Sequence, residues 1–130
     1  MLRPYVTYED VKAICPFVDQ LQPGSDQFLV QRLAARDWLD STITAALGYS
    51  SWGSVVVSSR VTRACAYRAA GEILMTQITP VQSDNAYIAM SRTFQRLAEN
   101  EISTLSLKIR LENGTLETID LSIRKRGYHG

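Results

Sequence analysis

Residues 105–126, LSLKIRLENGTLETIDLSIRKR, alternate apolar and polar side chains on either side of Asn113-Gly114. Alternation with period two marks strands with one apolar face, and Asn-Gly is a strong hairpin turn signal. The hundred residues before this stretch carry helical spacing almost throughout. A two-stranded ribbon is marginal by itself, because its apolar face lacks cover and both of its edges are open. It therefore needs a partner surface, either the chain's own helices or another molecule.

Parity decides how the two strands meet. Leu105, Leu107, Ile109 and Leu111 are odd-numbered, and so are Ile119, Leu121 and Ile123. A two-residue Asn-Gly loop sets Ile109 opposite Thr118 and sends the two apolar sets to opposite faces. A three-residue loop with Gly114 left-handed, or an Asn-Gly turn followed by a bulge near Glu117, gives one common face. The register expected is Ile109 opposite Ile119 and Lys108 opposite Asp120. The apolar face can close over the helices within one subunit, while an open edge can add a strand across subunits.

The rest of the chain predicts four helices. Thr7 N-caps the first, Val6 and Val11 occupy the staple positions, Asp10 completes a short capping box, and Pro16 ends the helix. After Pro23-Gly24, Ser25 or Asp26 caps a second helix that runs to about Leu47 and stops at Gly48. Its apolar face contains Phe28, Leu29, Leu33, Ala35, Leu39, Ile43, Ala46 and Leu47, with Trp38 off-centre as a core-edge aromatic or an anchor for a neighbouring subunit. Residues 48–58, GYSSWGSVVVS, form a loop with room for an extended run at Val55 to Val57; Tyr49 and Trp52 are its candidates for contacts outside the domain. Ser58 or Ser59 caps the alanine-rich third helix, which Pro80 stops after Ile78. Gly71 marks a helix-crossing point there. Ser83 or Asp84 opens the fourth helix, whose stripe is Tyr87, Met90, Phe94, Leu97, Ala98 and Ile102. The fold class is mainly α, a bundle of about four helices with a C-terminal antiparallel β-hairpin. It forms a single domain over 1–130, with a helical body at about 5–102, a hairpin at about 104–124 and a basic tail at 124–130.

Composition narrows the function. With 45% hydrophobic and 21% charged residues the chain can build a core, and a net charge of +1 argues against a dedicated nucleic-acid binder. Apolar runs such as Val55–Val57 are too short to span a bilayer, and the N-terminus has no basic segment leading into an apolar one, so the expectation is a soluble, unsecreted protein. Cys15 and Cys65 read as buried, reduced thiols. The sole histidine, His129, is the penultimate residue, a poor place for a preorganised base. With no phosphate loop, metal-ligand spacing or nucleophile elbow, the expectation is no enzyme, no cofactor and no metal.

Arginine is the distinctive residue. Of fourteen basic residues only Lys12, Lys108 and Lys125 are lysines. Arginine is enriched at protein interfaces and lysine depleted. Arg32 with Arg36 and Arg92 with Arg96 are like-charge pairs at four-residue spacing, mildly unfavourable in isolation. They are either solvated or turned towards a neighbour's Asp37, Asp40, Glu99 or Glu101.

The stretches YVTYEDVKAI (5–14), RLAARDWLDSTITAAL (32–47) and ILMTQITP (73–80), followed by the amphipathic fourth helix, resemble in pattern and helix order the head–tail connector, or adaptor, proteins of tailed bacteriophages. The resemblance covers roughly residues 5–102. It implies a non-enzymatic ring of identical subunits, a dodecamer, that binds the portal protein in the neck of the virion and presents a platform to the next neck or tail protein, with DNA only as passing cargo. It places the helix-borne arginines in subunit contacts, while the hairpin and the RKRGYHG tail become docking elements. The hairpin departs from the simplest all-helical members. The interface candidates are thus Arg32, Arg36, Trp38, Tyr49, Trp52, Arg92, Arg96, Leu107, Ile109, Ile119, Leu121, Arg124, Lys125 and Arg126. The alternative is a small nucleic-acid-binding protein that uses Arg124–Arg126, with Tyr128 for stacking.

Overall fold

The computed structural model describes residues 2–21, 26–77 and 85–121. Four helices, α1 (Tyr8–Ile14), α2 (Leu29–Leu47), α3 (Ser59–Met75) and α4 (Asn85–Ser103), carry a three-stranded antiparallel sheet of β1 (Ser54–Val56), β2 (Ser106–Arg110) and β3 (Leu116–Asp120). The chain is mainly α with a C-terminal β-hairpin, as the pattern predicts. The Pro23-Gly24 break, the alternative cap Ser25, the Pro80 stop, the expected opening of α4 at Ser83 or Asp84, the residue Ile123 and the basic tail lie outside the described residues.

Helix α3 is the hub. Its Ala64, Ala66, Ala69, Ala70 and Gly71 are all buried, and α1, α2 and α4 all pack on it. Small side chains let the neighbouring backbones come close. A methyl group at Gly71 would lie 2.9 Å from Gln95 Cγ and 3.2 Å from the Ser91 carbonyl oxygen, so the crossing with α4 is as tight as Gly71 suggests. Ser91 is fully buried there and donates from its hydroxyl to the Gly71 carbonyl over 2.8 Å, which satisfies a polar group that burial would otherwise penalise.

The expected caps are present for α1 and α3. Thr7 and Asp10 make the reciprocal capping box, and the Ser58 hydroxyl accepts from the Val61 amide at 3.3 Å. Gly48 ends α2 in left-handed geometry, φ 84°. Three boundaries differ from expectation. Pro16 stops α1 but also opens a 3-10 helix, Pro16–Gln20, where its missing N–H costs nothing. Helix α3 ends at Met75 rather than Ile78. Helix α2 is entered through Asp26, Gln27 and Phe28, all left-handed at φ 53°, 54° and 61°, with no side-chain cap from Asp26. Arg32 compensates: its guanidinium donates to the carbonyls of Gln27 at 3.0 Å, Asp26 at 2.8 Å and Val6 at 3.3 Å. Buried Phe28 stacks on Tyr8 at 6.3 Å.

The sheet corrects the expected register while keeping its parity. Leu107 faces Ile119, Lys108 faces Thr118 and Ile109 faces Glu117, two residues away from the expected Ile109–Ile119 and Lys108–Asp120 pairs. The loop explains the shift. Leu111 N–H donates to Thr115 O at 2.8 Å, closing a three-residue connection of Glu112, Asn113 and Gly114, with Gly114 at φ 87°. That connection makes the paired residue numbers sum to 226 and keeps the odd residues on one face. Leu105, Leu107, Ile109, Ile119 and Leu121 are all buried against the helices. At roughly 1.5–3 kcal/mol for each fully buried aliphatic side chain, this face stabilises a ribbon that would be marginal alone.

The stretch 48–58 is more ordered than a loop. Residues Ser54–Val56 pair with Arg110–Lys108, so β2 is the central strand and the hairpin has one covered edge. Gly53 makes this approach possible. Its φ is 108°, and a Cβ there would overlap the Arg110 carbonyl. Gly53→Ala is therefore expected to lower stability in urea denaturation by about 1–3 kcal/mol and to remove amide-exchange protection from Ser54–Val56; unchanged stability and protection would contradict this packing.

Candidate interaction surface

Of the arginines singled out in the sequence, Arg32 and Arg36 are engaged within the chain, as are Arg60, Arg63 and Arg68, which the sequence did not mark. Arg36 pairs with Asp40 at 3.3 Å, donates to the Arg3 carbonyl at 2.6 Å and lies over the Tyr5 ring at 4.5 Å. Asp40 also accepts from the Tyr5 hydroxyl at 2.6 Å. Burial, and then this bond to a carboxylate, raise the Tyr5 pKa above its usual value. Arg60 reaches from the start of α3 to the end of α4, where it donates to the carbonyls of Glu101 and Thr104 and pairs with the Glu101 carboxylate at 3.2 Å. A cation on the C-terminal carbonyls complements the helix dipole, and at Glu101 it joins the Thr104 amide, which donates to the same carbonyl at 3.3 Å. Arg63 shares Glu101 at 3.4 Å. Arg68 pairs with Glu72 at 3.2 Å and lies over the Trp38 ring at 5.5 Å, while the Trp38 indole donates to Glu99 at 3.3 Å. Trp38 is thus half-buried between α2, α3 and α4.

Trp52 and the apolar sheet residues belong to the interior. Trp52 is buried, and its indole N–H donates to Thr44 Oγ1 at 3.0 Å. Leu107, Ile109, Ile119 and Leu121 are buried with it, so these side chains are not on the surface a partner would touch. The reason is the same in each case: the helices already cover them. Arg124, Lys125 and Arg126 lie outside the described residues. Leu97, assigned to the core stripe of α4, is 36% exposed; Ser91, a polar residue, takes the central buried position, because the tight crossing at Gly71 favours a small side chain.

The exposed large apolar side chains among the described residues are scattered, with Leu2 before α1, Val30 on α2, Met75 on α3 and Leu116 on β3. Tyr49 is exposed beside the Gly48 stop, and Val56 and Val57 are exposed on and after β1. Arg92 and Arg96 are both exposed on α4, and among the described residues neither has a partner. Of the four acids the sequence offers to them, Asp40 and Glu101 hold arginines of their own chain, and Glu99 accepts from Trp38. Asp37 is exposed on α2 and has no partner among the described residues. The outer edge of β3 carries no strand among the described residues, whereas β1 shields the far edge of β2.

Among the described residues no group of three or more His, Cys, Asp or Glu is placed to hold a metal ion, and no helix is long and apolar enough to cross a membrane. Cys15 and Cys65 are both buried free thiols. Burial, reinforced by the nearby Asp40 charge, pushes the Cys65 thiol up to about 12. Compared with models of known protein families, with curated proteins and with solved structures, the chain matches none.

Two measurements follow from these environments. Between the ordinary thiol value of 9.0 and about 12, the unfolded chain gives up the Cys65 proton while the folded chain keeps it, so folding stability should be intact below pH 9 and fall as pH rises towards 12. Denaturant midpoints across this range, compared with Cys65→Ala, read the effect; equal slopes in both would contradict it. Separately, Arg60→Ala should cost about 1 kcal/mol, because it uncaps α4, whereas Arg92→Ala/Arg96→Ala should stay within about 0.5 kcal/mol of wild type. Thermal melts decide, and a large loss in the double variant would place those arginines in the fold.

Proposed function

We propose that this chain is a structural assembly protein, a subunit of a closed homo-oligomeric ring, and specifically a head–tail connector that sits on the portal of a tailed bacteriophage and offers a platform to the next neck or tail component. The supporting observation is the arrangement of α2 and α4. Both are long, both lie on α3, and each keeps an outward ridge that its own chain leaves uncovered. A subunit with two different helical flanks suits head-to-tail packing around an axis, in which one heterologous contact repeats until the ring closes. The order of helices and the resemblance of 5–102 to connector proteins support the more specific assignment. In this reading the virion neck is the site of action and the portal protein, the downstream neck or tail protein and further copies of the chain are the partners.

The sheet has a different part from docking by its apolar face, which is spent on the core. Its backbone edge at β3 and the exposed Tyr49 and Val57 are what it can offer a partner. Removing residues 104–130 would take away buried core side chains, so the partners have to be tested on the full chain. Native mass spectrometry of the full-length protein, alone and mixed with a portal ring, is expected to give a discrete multi-subunit mass or a portal-bound ring of fixed stoichiometry. A single-subunit mass at every concentration, with no portal binding, would sink the reading.

A further inference from the structure

We infer that the repeating contact of the assembly joins the Arg92–Arg96 face of α4 on one copy to the Asp37 ridge of α2 on the next. The inference rests on the ring reading and names the surfaces that carry it.

The charges single these surfaces out. On α2 and α4 together the acids are Asp37, Asp40, Glu99 and Glu101. Three are engaged at home: Asp40 by Arg36 and Tyr5, Glu99 by Trp38, and Glu101 by Arg60 and Arg63. Asp37 is left, exposed and without a partner among the described residues. Opposite in sign, Arg92 and Arg96 are exposed, equally without partners, and one helical turn apart. Two guanidinium groups about 6 Å apart along a helix repel each other, and a single carboxylate set between them relieves that repulsion while accepting charge-assisted bonds from both. The free chain thus holds an unfavourable pair that a second copy can neutralise.

Sterics favour the same pairing. The outward ridge of α2 continues from Asp37 to Ser41 and Ala45, all exposed, so nothing long stands beside the carboxylate on that side. Leu97 is partly exposed beside Arg96 and supplies an apolar side chain to lay over that small-residue ridge. Helices with small side chains at the contact can approach to about 8–10 Å between axes, close enough for the arginines to reach Asp37. The other free acids do not offer this. Glu9 sits in the first turn of the seven-residue α1, where it complements the dipole, Asp26 lies in the left-handed entry to α2, Glu112 is in the hairpin turn and Glu117 is on β3, so none of them stands on the outward face of a long helix. Because the donor face and the acceptor face lie on different helices, the contact is heterologous and propagates.

Charge reversal tests this with a distinctive outcome. Asp37→Arg puts three cations in the contact, and Arg92→Asp/Arg96→Asp puts three carboxylates there. Each variant alone should lose association by at least about tenfold, since like charges placed together across an interface cost several kcal/mol. Mixed one to one, they should assemble again: the reversed α4 face meets the reversed α2 face at every second junction, and wild-type faces meet at the others. Sedimentation velocity reads the assembly, and thermal melts check folding. If either reversal unfolds the chain, Asp37→Asn and Arg92→Gln/Arg96→Gln are used, and each should weaken assembly and flatten its salt dependence. Wild type that assembles, with both variants assembling equally well, overturns the contact and leaves the ring reading standing. Wild type that remains a single subunit overturns both. If Arg92→Asp/Arg96→Asp abolishes salt-sensitive binding to duplex DNA and leaves assembly untouched, the face belongs to nucleic acid and the inference fails.

Discussion

The close crossing of α3 and α4 at Gly71 is the constraint on which the rest of the structure depends. It is permitted by the absence of a side chain on one helix and by a serine on the other, whose hydroxyl bonds the Gly71 carbonyl. With α4 held this near, the end of α4 arrives beside the start of α3, where Arg60 caps it. The chain then turns directly into β2 at Leu105, whose carbonyl accepts from the Leu121 amide. The position of the sheet over the helices follows from that geometry. A larger residue at 71 would gain about 1 kcal/mol of helix propensity and lose more by forcing the Ser91 backbone away.

A second consequence concerns charge. A chain rich in arginine could be read as a surface prepared for partners, but the fold spends most of these residues on itself. Arg32 satisfies carbonyls of a left-handed turn, Arg36 ties the segment before α1 to α2 through the Arg3 carbonyl, and Arg60 and Arg63 converge on Glu101. The planar fork suits all of these tasks, because each asks one side chain to serve two or three acceptors in different directions. On the two long helices, what the fold leaves unpaired among the described residues is Arg92 and Arg96 on α4 and Asp37 on α2.

Much of the architecture was legible along the chain because it is local. The capping box at Thr7, the Ser58 cap, the Gly48 stop and the parity of the hairpin all depend on residues within a few positions of one another, and all are present. Strand β1 was not legible as a sheet member, since its pairing joins Ser54 to Arg110 across the whole of α3 and α4, and three residues leave too little pattern. Nor was the entry into α2, where Asp26–Phe28 adopt a left-handed path that only the tertiary bonds from Arg32 explain. For the candidate surface, residue type suggested the arginines, but sequence spacing could not separate Arg36, paired at home, from Arg92 and Arg96. The clue available was weak: Arg36 has Asp40 one turn later, whereas four residues from Arg92 stand Ile88 and Arg96, and four from Arg96 stand Arg92 and Asn100, none of them acidic.

The unpaired faces of α2 and α4 are proposed to meet copies of the same chain. Electron microscopy of the concentrated full-length protein tests that claim by sight. Closed rings of one diameter, with helices of adjoining subunits packed side by side, are the predicted image; a field of separate single subunits, or rings whose subunits touch only through the sheet, would contradict it.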